Sequence, residues 1–122
     1  MNWTGVGAGA MALAVMLGAF GAHALKEHLD AYSTGIYEKA VFYHFVHALG
    51  ILIVSLAPRQ SELSAPHAGW VCGLLTAGIL LFSGSLYALA ISGNRMLGAI
   101  TPLGGLCFIA GWLLLAFFAL RS

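Results

Sequence analysis

Charged residues are what this sequence has least of. Only five Lys or Arg and four Asp or Glu occur among 122 residues, 7% of the chain, whereas soluble domains carry about 25%. The formal net charge of +1 offers no basic surface, so we expect no nucleic acid partner. With a mean hydropathy of +0.94, the composition predicts a protein whose main partner is the lipid bilayer.

Cysteines and carboxylates inside apolar runs are also scarce. The two cysteines, Cys72 and Cys107, lie near the starts of antiparallel apolar runs, which puts them about 15 Å or more apart in depth and excludes a disulfide. No Asp or Glu lies within an apolar run. That absence disfavours a carboxylate-driven proton antiporter and a catalytic histidine oriented by an acid.

Long apolar runs take up most of the chain. A membrane span needs about 20 apolar residues, and four runs meet this requirement: Trp3–Ala24, Ala40–Ala57, Ala68–Ser92 and Ala99–Leu120. The first run lacks the basic start of a signal peptide and is too long for one, so we interpret it as a retained helix. The pattern predicts one domain over residues 1–122, an all-α, up-down four-helix transmembrane bundle.

The longest polar stretch, Leu25–Ile36, lies between the first two runs. Its larger apolar residues recur at helical spacing, at Leu25, Leu29, Tyr32 and Ile36. This periodicity predicts a short interfacial amphipathic helix between the first two spans. The second span would then restart at Thr34 or Gly35.

Polar residues from all four spans converge in one half of the predicted bundle. They are His23, Tyr43, His47, Ser83, Ser85, Tyr87 and Thr101. Tyr43 and His47 share a helix face, while His44 points about 100° away from Tyr43. We therefore expect His47 to face inward and His44 to face a neighbouring helix or lipid headgroups. The set is a candidate polar cluster or ligand pocket.

Three interpretations of this cluster compete. In the first, the histidines are structural and hydrogen-bond across helices; in the second, they line a pocket for a small ligand; in the third, they bind a metal or haem. For zinc, His23 and His47 are two possible ligands and Glu38 is the only nearby third. Ser83 lacks an acid-oriented histidine and a nucleophile elbow. We expect no catalytic residue, no cofactor and no metal.

Several motifs together resemble a known family. They are Gly18–His23 (GAFGAH), Tyr43 with His47–Leu49, Leu81–Tyr87 (LFSGSLY), Thr101–Pro102 with Gly104–Gly105, and Gly111–Trp112. Over nearly the whole chain they are similar to the YgdD-like family of small four-helix proteins of bacterial inner membranes, which has eukaryotic transmembrane relatives. The resemblance implies a multi-pass inner-membrane protein but supplies no activity. It implies signature positions at Phe20, Ser83, Ser85, Tyr87 and Thr101, and includes His23 and His47 but not His44.

Two function classes follow. The first is a non-enzymatic membrane protein, structural, scaffold or stress-related, with a hydrogen-bonded polar layer in one membrane half. The alternative is a small-molecule or ion transporter or channel that acts as a dimer. A homo-oligomer is possible in both classes, and any small-molecule ligand is unknown. The loop charges, three Lys or Arg on one side against two on the other, lean toward both termini outside.

Overall fold

A computed structural model describes residues 1–59 and 63–121, and this part of the chain is helical with no strand. The α-helices are α1 (Trp3–His23), α2 (Ala31–Leu56), α3 (Ala65–Gly78), α4 (Gly84–Ser92) and α5 (Thr101–Arg121). A π-helical segment, Ile79–Ser83, joins α3 to α4, and short 3-10 segments cover Ala57–Arg59 and Arg95–Ala99. Four stretches are long and apolar enough to cross a membrane: Trp3–His23, Ala31–Arg59, Ala65–Ser92 and Arg95–Arg121. The all-α four-helix transmembrane architecture is confirmed.

Polar caps set where the helices begin. The side chains of Asn2, Asp30 and Ser64 each accept a hydrogen bond from the backbone N–H three residues later, which satisfies a donor that the first turn leaves free. Gly93 ends α4 in the left-handed conformation, with a φ of 73°, which glycine adopts without a Cβ clash.

The predicted interfacial helix differs in the structure. Residues 24–29 form turns, and α2 begins at Ala31, so the second half of the predicted helix Leu25–Ile36 is the start of α2. The reason is Asp30, whose side chain caps the helix at Ser33 and so fixes its first turn ahead of Thr34. The 26 residues of α2 extend about 39 Å, more than the hydrocarbon core of about 30 Å, so Glu38 can lie within the helix and close to headgroup depth.

Helix α2 is central in the bundle. It packs against α1 on one side and against α3, the π segment and α4 on the other, while α5 packs on α3 and the π segment. The main core cluster contains Ile51, Val71, Cys72, Leu75 and Phe108, all nearly inaccessible. This position buries more than one face of α2, so side chains on two of its faces can point inward.

Glycines let the spans approach where the polar residues lie. A Cβ on Gly104 of α5 would overlap the backbone of Phe82 in the π segment, and a Cβ on Gly50 of α2 would come within 2.9 Å of the Trp112 ring. These close contacts bring α2 and α5 to the same interior region. Both Cys72 and Cys107 are free thiols.

Candidate functional site

His47 lies near the middle of α2 and has only 5% of its surface exposed. Its Nδ1 is 2.8 Å from the Tyr43 carbonyl oxygen, and the Trp112 indole N–H donates to its Nε2 over 3.0 Å. A carbonyl only accepts and an indole only donates, so Nδ1 carries the hydrogen and Nε2 accepts. The neutral imidazole therefore uses both ring nitrogens and connects α2 to α5.

Aromatic rings enclose His47. Its ring stacks on Phe108 with centroids 3.5 Å apart, and the Tyr43 ring is nearly parallel to it at 6.1 Å. Phe82 packs on Tyr43 with centroids 4.6 Å apart. Phe108 lies against Gly78, where a Cβ would overlap its ring. Three aromatic residues therefore pack around the imidazole of His47, namely Tyr43, Phe108 and Trp112.

His44 is also buried, with 1% of its surface exposed. Its Nδ1 is 2.8 Å from the Tyr87 hydroxyl, so it faces the neighbouring helix α4 rather than lipid headgroups. Its Nε2 has no hydrogen-bond partner within residues 1–59 and 63–121. The central position of α2 explains why both histidines are interior.

The serine side chains connect the remaining spans. The fully buried Ser83 hydroxyl donates to the Ala40 carbonyl over 2.9 Å, which ties the π segment to α2. Ser85 hydrogen-bonds the Thr101 hydroxyl and donates to the Phe82 carbonyl, which ties α4 to the start of α5. Ser83 lies at the end of the π segment, a wider turn of a kind often found at functional sites.

His23 lies apart from these contacts. It is exposed at the last residue of α1, where the chain turns away, and no hydrogen bond joins it to the other candidates in the described part of the chain. The structure thus brings six predicted residues into one connected region, namely Tyr43, His47, Ser83, Ser85, Tyr87 and Thr101, and leaves His23 at its edge.

The sequence interpretation missed several members of this region. Tyr37 is 4% exposed, donates its hydroxyl to the Leu17 carbonyl and packs edge-on against Tyr87. Trp112 and His44 were also missed. The spacing of Tyr37, His44 and Ile51 was the available signal, since residues seven apart share a helix face and these three are almost inaccessible.

Hydrogen bonding is the chemistry that this arrangement offers. We call the connected residues Tyr37, Tyr43, His44, His47, Ser83, Ser85, Tyr87, Thr101 and Trp112 the polar layer. None of them is a carboxylate, and the described residues contain no group of three or more His, Cys, Asp or Glu placed to hold a metal. A second polar contact, Thr4 to Ser55 at 3.0 Å, joins α1 and α2 near the opposite end of the bundle.

Comparison with known proteins gives the family but no activity. Residues 17–105 match the family described as "Protein of unknown function (DUF423)". A "UPF0382 membrane protein" of Staphylococcus epidermidis is 47% identical over 109 residues, covering 89% of this chain and 87% of that protein. The "UPF0382 membrane protein YwdK" of Bacillus subtilis is 46% identical over 111 residues, covering 89% of this chain and 88% of that protein. No solved structure matches the chain.

Proposed function

Because the chain belongs to the DUF423 family of multi-pass membrane proteins of unknown function, we propose that it is a non-enzymatic scaffold, with residues 1–122 acting as one unit. The YgdD-like label remains an expectation from sequence resemblance. The observation that carries the proposal is the state of His47. Both of its nitrogens are used within the protein, and aromatic rings cover it.

The contacts of the polar layer support a structural role. His44 joins α2 to α4, His47 joins α2 to α5, and Ser83 joins the π segment to α2. Interhelical hydrogen bonds in membrane proteins average about 0.6 kcal/mol, so each contact is modest. Together they hold the spans in one axial register. A fixed arrangement of spans suits a scaffold, because a scaffold must present a constant surface to its partners.

The same contacts argue against proton-transfer chemistry at His47. A catalytic base must reach the proton that it abstracts from substrate, but Nε2 already accepts from Trp112 and Nδ1 already donates to Tyr43. Protonation of Nε2 would place two N–H groups face to face. The absence of a resident cofactor remains a prediction.

The second candidate is a transporter or channel acting as a dimer. The observation that favours it is the buried Nε2 of His44, which has no hydrogen bond of normal geometry in the described residues and lies beside the α1–α2 packing. A bundle interior with an unused polar atom is where a translocated ion or small molecule could form a transient contact.

Flux and stability measurements on the same variants separate the two functions. Purified wild type, His47→Ala and the exposed control His28→Ala are reconstituted in liposomes and assayed for proton, potassium and fluoride flux. The scaffold predicts no flux above empty liposomes for any of them, with only His47→Ala losing stability, by about 1 kcal/mol. Flux above empty liposomes in wild type and His28→Ala would overturn the scaffold proposal, whether or not His47→Ala retains it, and so would stoichiometric metal in elemental analysis.

A further inference from the structure

A groove of about 740 Å³ lies between the end of α1 and the first half of α2, a volume within the range of about 300–1,000 Å³ typical of small-molecule sites. It is separate from the polar layer, although Tyr37 contributes to both. Its apolar wall consists of Leu25, Leu29, Val41, Phe42, Phe45 and Val46. Phe42 and Val46 are exposed, so the groove opens sideways to the bilayer.

Small residues on α1 create this space. Gly18, Gly21 and Ala22 form its α1 side, where a larger side chain would occupy the volume. A Cβ on Gly18 would lie 3.4 Å from Val41, an ordinary contact distance, so this position tolerates a side chain. Because Gly18 lines the groove, we expect a long side chain there to extend into it. The turn over residues 24–29 contributes Leu25, Lys26 and Leu29 to the groove lining.

The groove is lined by one positively and one negatively charged residue. Lys26 in the turn and Glu38 in α2 line the groove together with Thr34, and both charged side chains are exposed. Because α2 exceeds the hydrocarbon core by about 9 Å, we place its first turns at headgroup depth and Glu38 just beyond them. The apolar wall and the charged residues Lys26 and Glu38 are therefore neighbours at the depth where the acyl chains of a lipid meet its headgroup.

We propose that this groove binds a glycerophospholipid whose headgroup carries a phosphate and a primary ammonium, as in phosphatidylethanolamine. An acyl chain lies on the Val41 and Phe45 wall, the phosphate pairs with Lys26, and the ammonium donates to the Glu38 carboxylate. Charge complementarity selects this class. An anionic headgroup without an amine would meet Glu38 unfavourably, and a quaternary ammonium has no N–H to donate.

Native mass spectrometry of the full-length protein tests the headgroup assignment. The protein is supplied with equimolar phosphatidylethanolamine, phosphatidylcholine and phosphatidylglycerol of identical acyl chains. We expect the ethanolamine lipid to be retained about two- to fivefold over the others, as exposed charge pairs allow. Glu38→Gln should abolish that preference, and Lys26→Gln should lower retention of all three lipids.

A matched glycine pair tests the location. Gly18→Leu should remove the selective retention by filling the groove, while Gly9→Leu on the same helix should retain it, because a Cβ at Gly9 meets nothing within 4 Å. Circular dichroism confirms that both variants are folded. Equal retention of all headgroups would mean annular lipid only, and preferential retention of phosphatidylglycerol, or selectivity that survives Gly18→Leu, would also overturn the proposal.

Discussion

We expect two histidines on the same helix to carry their ring hydrogen on opposite nitrogens. In His47, Nδ1 donates to the Tyr43 carbonyl. In His44, Nδ1 lies beside the Tyr87 hydroxyl, which can donate to it and leave the hydrogen on Nε2. We expect ¹⁵N NMR of the imidazoles to show the Nδ1–H tautomer for His47 and the Nε2–H tautomer for His44. The same tautomer in both rings would contradict these assignments.

The indole of Trp112 satisfies a buried acceptor. Trp112→Phe keeps an aromatic ring but removes the donor to His47 Nε2. We expect a loss of about 1 kcal/mol in the free energy of unfolding, between the average for membrane hydrogen bonds and the cost of a stranded buried acceptor. Trp70→Phe is the matched control because Trp70 is 68% exposed. Equal stability of the two variants in reversible unfolding would refute the role of the indole N–H.

The cap at Asp30 makes the start of α2 sensitive to acid. The hydrogen bond from the Ser33 backbone N–H, followed by the Ser33 hydroxyl and Arg95, holds the pKa of the Asp30 carboxyl below its usual value of 3.8. A lowered folded pKa stabilises the helix start above pH 3.8, and this contribution is lost as pH falls through the folded pKa. Amide exchange at Ser33 should therefore accelerate in that acid range in wild type.

Two variants separate the cap from general acid effects. Asp30→Asn can still accept the Ser33 hydrogen bond and should show little change in exchange over the same pH range, after correction for intrinsic rates. Asp30→Ala should exchange fast throughout. An acid response in Asp30→Asn as large as in wild type would assign the effect to another group.

The sequence predicted that His47 faces inward and that His44 faces a neighbouring helix or lipid headgroups, and the structure buries His47 and places His44 against α4. Tyr43 four residues before His47 indicated a shared inward face. The orientation of His44 could not follow from one helical projection, because that projection assumes a single buried face, whereas α2 is covered on both sides. The partners of each ring, Tyr87 and Trp112, depend on how distant spans meet.

Helix α5 approaches the backbone of the π segment closely beside the polar layer. A Cβ on Gly104 would overlap the backbone of Phe82, whereas a Cβ on the adjacent Gly105 would be 3.8 Å from the Phe82 ring. Gly104→Ala should destabilise the protein by about 1–3 kcal/mol through overpacking, and Gly105→Ala should be near neutral. Thermal unfolding in one detergent compares them, and similar midpoints would show that α5 does not approach this closely.

Local residue chemistry explains several helix ends. Ser64 and Gly93 cap as local chemistry requires, and Asp30 was an equally suitable cap that the apolar periodicity of Leu25–Ile36 obscured. The π segment Ile79–Ser83 had no local signal, because its sequence of apolar residues suits an ordinary α-helix. The wider turn lies where Gly104 of α5 packs against the Phe82 backbone. This is a contact between distant parts of the chain, so local sequence could not predict it.

At the scale of the whole molecule, hydropathy determines the number of spans but charge hardly determines their direction. One membrane face carries Lys26, Lys39 and Arg95, and the other carries Arg59 and Arg121. The positive-inside rule acts through the difference between faces, and a difference of one charge is small. The orientation with both termini outside therefore remains a prediction. Adding one positive charge to a loop tests how strongly the orientation depends on charge.

Labelling of single cysteines with an impermeant thiol reagent tests the topology, in a background with both native cysteines replaced by Ala. An even number of spans places Asn2, Arg59 and Arg121 on one side and His28 and Met96 on the other. In intact cells we expect labelling of the first three only. Access to Arg59 and His28 from the same side would contradict the up-down arrangement.

Equal labelling of every position from both sides would indicate dual insertion. In that case we expect an added Lys beside Met96 to shift the population toward molecules with both termini outside, because added positive charge retains its loop in the cytoplasm.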